Sequence, residues 1–317
     1  MPEASPFALV FPGQGSQIVG MGRDLYDTFT SSRAVFQHAD KITGFALSKL
    51  IFGGPEDELR QTINAQPAIV TVSLACLTAM KEISGEIGLR EPAFVAGHSL
   101  GEYTALAASE SLDAETTVFL ARERGRLMQE AGQKNPGQMA AVLGMDETTL
   151  KEICFETSTV IANYNSPGQL VISGNPENMS KAIEMIKTRG PFKAIPLQVS
   201  GAFHSPLMQP AVEAMEKVLA QIHIKTPKIP IIGNVTAQPL FSPDLIKTEL
   251  LNQLCNGVQW QRSIEYMINN KTSTFIEIGP GRVLNGLIKR INKNATVLNI
   301  NDVQSLKEIT NKQLLAY

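Results

Sequence analysis

The sequence predicts an α/β protein: a large unit on a mostly parallel sheet, with a smaller βαββαβ unit inserted into it. Three observations carry this. Runs rich in strand formers alternate with runs of helical composition at both ends of the chain. The middle breaks that alternation with a hairpin signal set between two helical runs. A chain of 317 residues, 43% hydrophobic and 18% charged, can bury a full core as one large domain or two smaller ones.

Taken in order, "FALVF" reads as a strand followed by a helix over 21–30, and "SSRAVFQHADKI" as a surface helix. The longest apolar-leaning stretch, "AQPAIVTVSLACLTAM", is short and interrupted by Gln66, Thr71 and Ser73, so it predicts a buried helix with Pro67 in its first turn, not a membrane span. "EPAFVAG" is a strand leading into a helix over 100–109, and "ETTVFLARERGRLMQEAG" is a further helix. From Gly137 to Ser200 the pattern changes. "QMAAVLGM" reads as strand, 146–156 as helix, "TVIANYN" and "QLVISG" as a hairpin across Ser166-Pro167-Gly168, 176–188 as helix and "FKAIPLQV" as strand. That order is the ferredoxin-like unit. It sets an insert at 133–200, between the loops "AGQKNPGQ" and "SGAFHSP", with 1–132 and 201–317 forming the large unit. "TFIEIG" with a helix over 281–291, and "ATVLNI" with a helix over 303–313, complete the parallel pattern. Ligands often bind where two such units meet.

A formal net charge of −2 gives no global drive toward nucleic acid or an anionic membrane. "MPEASPF" lacks a basic segment and a long apolar core. Cys76, Cys154 and Cys255 are odd in number, widely spaced and without a CxxC pair, which argues against a disulfide framework or a zinc site. The expected compartment is the cytoplasm.

The chemistry concentrates in "AGHSLGEY", residues 96–103, where Ser99 stands between Gly97 and Gly101 at a strand-to-helix turn. A nucleophile elbow needs this arrangement, because the glycines make room for a strained turn and the new helix offers backbone N–H groups to an oxyanion. The local context leaves a second reading open, a serine that merely caps the helix. A nucleophilic serine needs a base, and the chain holds four histidines. His98 adjoins Ser99 in an extended segment, so the two side chains should diverge. His38 belongs to the surface helix, and alternation in "LAQIHIKTP" puts His223 at an exposed or half-buried position. His204, in "SGAFHSPLM" at the junction of the two units, is the candidate base.

"VFPGQGSQ" invites a phosphate-loop or dinucleotide reading, but no Lys-Ser or Lys-Thr pair follows and Ile18 occupies the third glycine position. Gly13 and Gly15 instead let the backbone of Gln14 approach the elbow as a second oxyanion donor. Leu120, Arg124, Leu127, Met128 and Ala131 fall on one helical face, which sets Arg124 in an apolar stripe. A buried guanidinium should meet an anion, either an internal carboxylate or a substrate carboxylate that it grips bidentately.

With these residues in view, "FPGQGSQ" at 11–17, "GHSLGEY" at 97–103, "RERGRLMQ" at 122–129, "NYNSPGQLVISG" at 163–174, "GAFHSPLM" at 201–208, "NQLCNGVQW" at 252–260 and "EIGPGRVL" at 277–284 resemble the malonyl-CoA:acyl-carrier-protein transacylases over almost the whole chain. The resemblance implies an α/β-hydrolase-like large unit carrying a ferredoxin-like insert. It implies a ping-pong transfer in which Ser99 attacks the malonyl thioester with His204 as base. The backbone N–H groups of Gln14 and Leu100 would hold the oxyanion, and Arg124 would bind the malonyl carboxylate. Gln253 would support His204 through its backbone carbonyl, and Phe203 would bear on acyl selectivity. The acyl group would pass to the phosphopantetheine thiol of an acyl carrier protein, for fatty-acid or polyketide synthesis. The implied partners are malonyl-CoA, as a CoA thioester substrate, and the carrier protein, with no nucleic acid, membrane, resident cofactor or metal.

An acidic carrier would meet a basic surface, for which Lys187, Arg189, Lys193, Lys289, Arg290 and Lys293 are candidates. An ordinary serine hydrolase would place an Asp or Glu behind the histidine. Glu102 and Glu277 are the carboxylates weighed for that place, and the resemblance favours a backbone orienter. The alternatives are a serine hydrolase such as a thioesterase, which would pass the acyl group to water, and a noncatalytic docking subunit of a synthase complex.

Overall fold

Phe7, Leu9 and Phe11 pack into one apolar cluster and Ala8 and Val10 into another, so the period of two in the first strand divides the large core into two layers. The computed structural model describes residues 6–84 and 90–311. Its strands are β1 (Phe7–Phe11), β2 (Phe94–Gly97), β3 (Gln138–Leu143), β4 (Val160–Ser166), β5 (Gln169–Gly174), β6 (Lys193–Pro196), β7 (Ile231–Ile232), β8 (Pro239–Leu240), β9 (Thr274–Ile278) and β10 (Thr296–Ile300).

Six of them form a mixed sheet in the order β10-β9-β1-β2-β7-β8, parallel throughout except for the β7–β8 pair. Ala8 lies opposite Phe94 on one side and Phe275 on the other, so the first strand is central. Helix Thr62–Ser84 supplies the first layer, while helices Trp260–Asn269 and Val283–Ile291 cover the opposite face through Trp260, Ile264 and Leu287. Thr62–Ile83 is long and apolar enough to cross a membrane, yet 89% of its most apolar window is buried inside the fold. It is a core helix.

The remaining strands form an antiparallel sheet in the order β4-β5-β3-β6. Ala140, Val142, Leu170 and Ile172 pack on one face against helices Glu147–Thr157 and Pro176–Thr188. Met139, Val171 and Ala162 join the large core instead. Asp146 and Asn175 begin the two helices by accepting the Thr149 and Asn178 N–H groups at 2.9 and 2.8 Å. The small sheet is tied through backbone to the segment before helix Trp260–Asn269, which covers the large sheet: Tyr164 N–H donates to Val258 O at 2.8 Å and Val258 N–H to Ala162 O at 2.9 Å.

Several sequence expectations shift. The helix expected over 21–30 is two helices, Arg23–Thr28 and Thr30–Thr43, separated by Phe29 in extended conformation (φ −109°, ψ 129°). The second is the expected surface helix, although Val35, Phe36 and Ala39 on its inner side are buried. Pro67 is not in the first turn, because its helix starts at Thr62. The missing N–H would have served Ile63 O, and Arg122 Nη1 donates to that carbonyl instead at 2.7 Å, which makes the proline tolerable. "FKAIPLQV" is strand only over Lys193–Pro196, with Leu197 N–H adding one more bond to Met139 O. The last helix runs Val303–Asn311, and residues 312–313 of the expected span lie outside the described residues. The two-residue strands β7 and β8 are too short for a period-two signal.

Candidate active site

The elbow is built by backbone-on-backbone packing. A Cβ on Gly97 would lie 1.9 Å from Gly101 C, and one on Gly101 would lie 2.1 Å from Phe11 O, so only glycine fits at either place. A Cβ on Gly13 would lie 2.4 Å from His98 O, which shows how closely the "FPGQG" loop is pressed on the turn and brings Gln14 to the same cavity as Ser99. Ser99 itself adopts φ 51°, a left-handed conformation costing about 1–3 kcal/mol for a side chain other than glycine. Asn234 holds it there: its Oδ1 accepts the Ser99 N–H at 2.7 Å and its Nδ2 donates to Gly97 O at 2.7 Å. Leu100 is fully buried at the head of helix Gly101–Ala108, so only its backbone can serve the site.

His204 also has positive φ, 56°, and is buried. Its Nδ1 lies 2.6 Å from Gln253 O, a carbonyl that can only accept, so the ring proton is on Nδ1. Nε2 is then free to accept the Ser99 hydroxyl at 2.8 Å. Burial pushes the imidazole down to about 3, with the Arg124 charge acting in the same direction. At neutral pH the ring is an uncharged acceptor, the state a general base requires.

Arg124 is 1% exposed and lies on the predicted face of helix Ala114–Lys134, with Leu120, Leu127, Met128 and Ala131 buried beside it. Its Nη2 donates to Ser99 Oγ at 3.1 Å and to Gln253 Oε1 at 2.7 Å, and its Nη1 donates to Gln66 Oε1 at 2.9 Å. The oxygens facing it are therefore neutral, where an internal carboxylate had been one of two expectations. Its Nε is buried without a hydrogen-bond partner among the described residues. The guanidinium thus keeps bonding capacity next to the serine, with no carboxylate hydrogen-bonded to it among the described residues.

These groups line a cavity of about 370 Å³, which Gln14, Met128 and Phe203 share. Of the other histidines, His98 lines the same cavity but is held by other partners. His98 Nε2 is 2.8 Å from Asn165 Oδ1 and its ring stands edge-on to Trp260, His38 is 3.4 Å from Glu115 on the surface, and His223 is exposed. Neither weighed carboxylate stands behind His204. Glu277 accepts the Leu284 and Asn285 N–H groups at 3.1 and 2.9 Å, and Glu102 is bound to Asn234 and Gln253. Sequence reasoning missed Asn234, Gln66 and the side chain of Gln253. Among the docking candidates, Lys187, Lys193, Lys289, Arg290 and Lys293 are exposed, while Arg189 lies 3.5 Å from Glu156 and 3.9 Å from Glu152 and is partly compensated.

A serine hydrogen-bonded to a neutral imidazole, beside a buried guanidinium in an α/β frame, is an arrangement suited to acyl transfer. The family described as the acyl transferase domain matches residues 8–311. A malonyl CoA-acyl carrier protein transacylase of Bacillus subtilis is 43% identical over 96% of this chain and 98% of its own length, and one of Escherichia coli is 38% identical over 95% and 97%. The crystal structure of an acyl-carrier-protein S-malonyltransferase from Bartonella henselae superposes with TM-score 0.92 at 40% identity, covering 97% of this chain and 99% of that one. A malonyl-transacylase solved in complex with a type II polyketide acyl-carrier protein has TM-score 0.92 at 37% identity, over 97% and 100%. The chain belongs to the malonyl-CoA:acyl-carrier-protein transacylase family.

Proposed function

We propose that this protein transfers a malonyl group from malonyl-CoA to the phosphopantetheine thiol of acyl carrier protein through an acyl intermediate on Ser99. One observation carries the reading: Ser99 Oγ stands 2.8 Å from His204 Nε2 and 3.1 Å from Arg124 Nη2, so nucleophile, base and a cation for the malonyl carboxylate converge on one atom. Oγ attacks the thioester carbonyl as its proton passes to Nε2. The Gln14 and Leu100 N–H groups receive the oxyanion, since the Ser99 N–H is already committed to Asn234. The carbon–sulfur bond then breaks and Nε2 returns the proton to the departing CoA sulfur. The carrier thiol repeats these steps in reverse order, giving Nε2 its proton, displacing Oγ and taking the acyl group. Arg124 binds the free carboxylate throughout, and Phe203 limits the space beside the acyl α-carbon. No resident cofactor is needed, because the thioester brings its own activated carbonyl and leaving group.

The same reading divides the chain into an α/β-hydrolase-like unit, 1–132 with 201–317, and a ferredoxin-like insert, 133–200. The chain leaves and re-enters the large unit at one point: a Cβ on Gly132 would lie 2.4 Å from Ser200 O. The exposed cations Lys187, Lys193, Lys289, Arg290 and Lys293, with Arg189, form the surface that meets an acidic carrier. Cys76, Cys154 and Cys255 are free thiols, which suits work in the cytoplasm. The test is intact-mass analysis after exposure to malonyl-CoA, followed by carrier protein. Discharge of the acyl mass onto the carrier supports the transferase, and equally fast loss to free malonate without carrier would mark a thioesterase.

A further inference from the structure

We infer that Glu102 is a positioning residue that turns the acceptor end of the Gln253 amide toward Arg124, and so fits the site to carboxylated acyl donors. The inference rests on the reading that Arg124 binds the malonyl carboxylate. Glu102 follows Ser99 by three residues in the elbow helix and is fully buried. Its Oε1 accepts both the N–H and the Nδ2 of Asn234 at 2.9 Å, and its Oε2 accepts Gln253 Nε2 at 2.5 Å. None of this reaches His204.

The two ends of a carboxamide are nearly identical in shape and opposite in hydrogen bonding, so its neighbours decide which end faces where. Gln253 Nε2 has two acceptors, Ser99 O at 2.9 Å and the Glu102 carboxylate. Holding the nitrogen there turns Oε1 onto Arg124 Nη2 at 2.7 Å. A flipped amide would set its NH₂ against the guanidinium and its oxygen against a carboxylate and a carbonyl. Glu102 thereby makes the site's amide an acceptor for a cation that has no carboxylate of its own in contact. Burial and then Glu249 hold the Glu102 carboxyl well above the usual carboxylate range, against the opposing pull of Asn234, Gln253 and Arg124. The Gln253 backbone holds His204 while its side chain holds Arg124, so one residue touches both the base and the guanidinium.

The readout is the ratio of kcat/KM for malonyl-CoA to that for acetyl-CoA. Glu102→Gln leaves at most one oxygen for the Asn234 and Gln253 donors, and should lower the ratio about tenfold, the scale of one charge-assisted hydrogen bond. Gln253→Met keeps the backbone carbonyl that holds His204 and should lower it similarly. The double variant should add no further loss, because Glu102 acts through Gln253. Equal losses for both donors in Glu102→Gln, or additive losses in the double variant, would make Glu102 a brace of the elbow and overturn the inference. Should Glu102→Gln not fold, a retained ratio in Gln253→Met overturns it. Arg124→Ala separates the two claims: an unchanged ratio there removes the carboxylate reading itself, whereas a collapsed ratio there with an intact one in Glu102→Gln removes only the role of Glu102.

Discussion

Arg124→Ala is the perturbation whose consequences the structure fixes in two independent ways. The first concerns selectivity. The guanidinium is buried among the neutral oxygens of Gln66, Gln253 and Ser99, with Nε unpartnered, so a malonyl carboxylate gains charge-assisted bonds that an acetyl group cannot make. Such a bond is worth about 1.5–3 kcal/mol, which at about 1.4 kcal/mol per decade predicts a roughly 10- to 150-fold fall in kcat/KM for malonyl-CoA. Acetyl transfer should hold or rise, since the variant no longer leaves a buried charge unpaired. Arg124→Lys should rescue only in part, because an ammonium lacks the planar fork.

The second consequence is electrostatic. Burial pushes His204 down to about 3, and the Arg124 charge is the next cause. Only the neutral ring can accept the serine proton, so wild-type acylation should stay flat from about pH 8 to about pH 5, with no inflection at the ordinary histidine value of about 6.5. Removing the positive charge favours the imidazolium, so the acid limb must move to higher pH. The assay is the burst rate and kcat/KM with both donors across pH in wild type, Arg124→Ala and Arg124→Lys. Equal losses for both donors would refute the placement of Arg124 as the carboxylate site, and an unmoved acid limb would refute its electrostatic hold on His204.

Three further outcomes follow from the same geometry. His204→Ala should slow acylation by roughly 10²- to 10⁴-fold, measured as the burst rate, and a near-normal burst would assign the base elsewhere. Phe203→Ser should raise the methylmalonyl-to-malonyl ratio of kcat/KM by the equivalent of about 1–3 kcal/mol, the usual worth of one methylene of space, and an unchanged ratio would make Phe203 plain core packing. If the exposed lysines and arginines meet the carrier, KM for carrier protein should rise steeply with ionic strength. A flat response would remove that surface from docking.

What was legible in the sequence is what one dimension can carry. Ser99 stood out through glycines whose side chains would collide with backbone, His204 through scarcity of rivals and its place at a junction, and Arg124 through helical spacing. Strand and helix order came through period two and period 3.6. The amides were invisible, because a neutral side chain has no period and its worth depends on partners far apart in the chain. Asn234 follows a strand of two residues, and Gln66 counted only as an interruption of an apolar run. A polar side chain buried in a largely buried helix must find a partner, and that rule could have matched Gln66 to Arg124. The Gln253 carbonyl came from resemblance alone, since a backbone atom leaves no mark in composition.

The central claim is that malonyl passes through Ser99, and intact-mass analysis of wild type and Ser99→Ala after mixing with malonyl-CoA tests it most directly. Replacing one oxygen leaves the backbone of the elbow in place, so the variant should fold as wild type does. Wild type should gain one malonyl mass and lose it on addition of carrier protein, while Ser99→Ala should gain none. A full malonyl mass shift in Ser99→Ala would contradict the account.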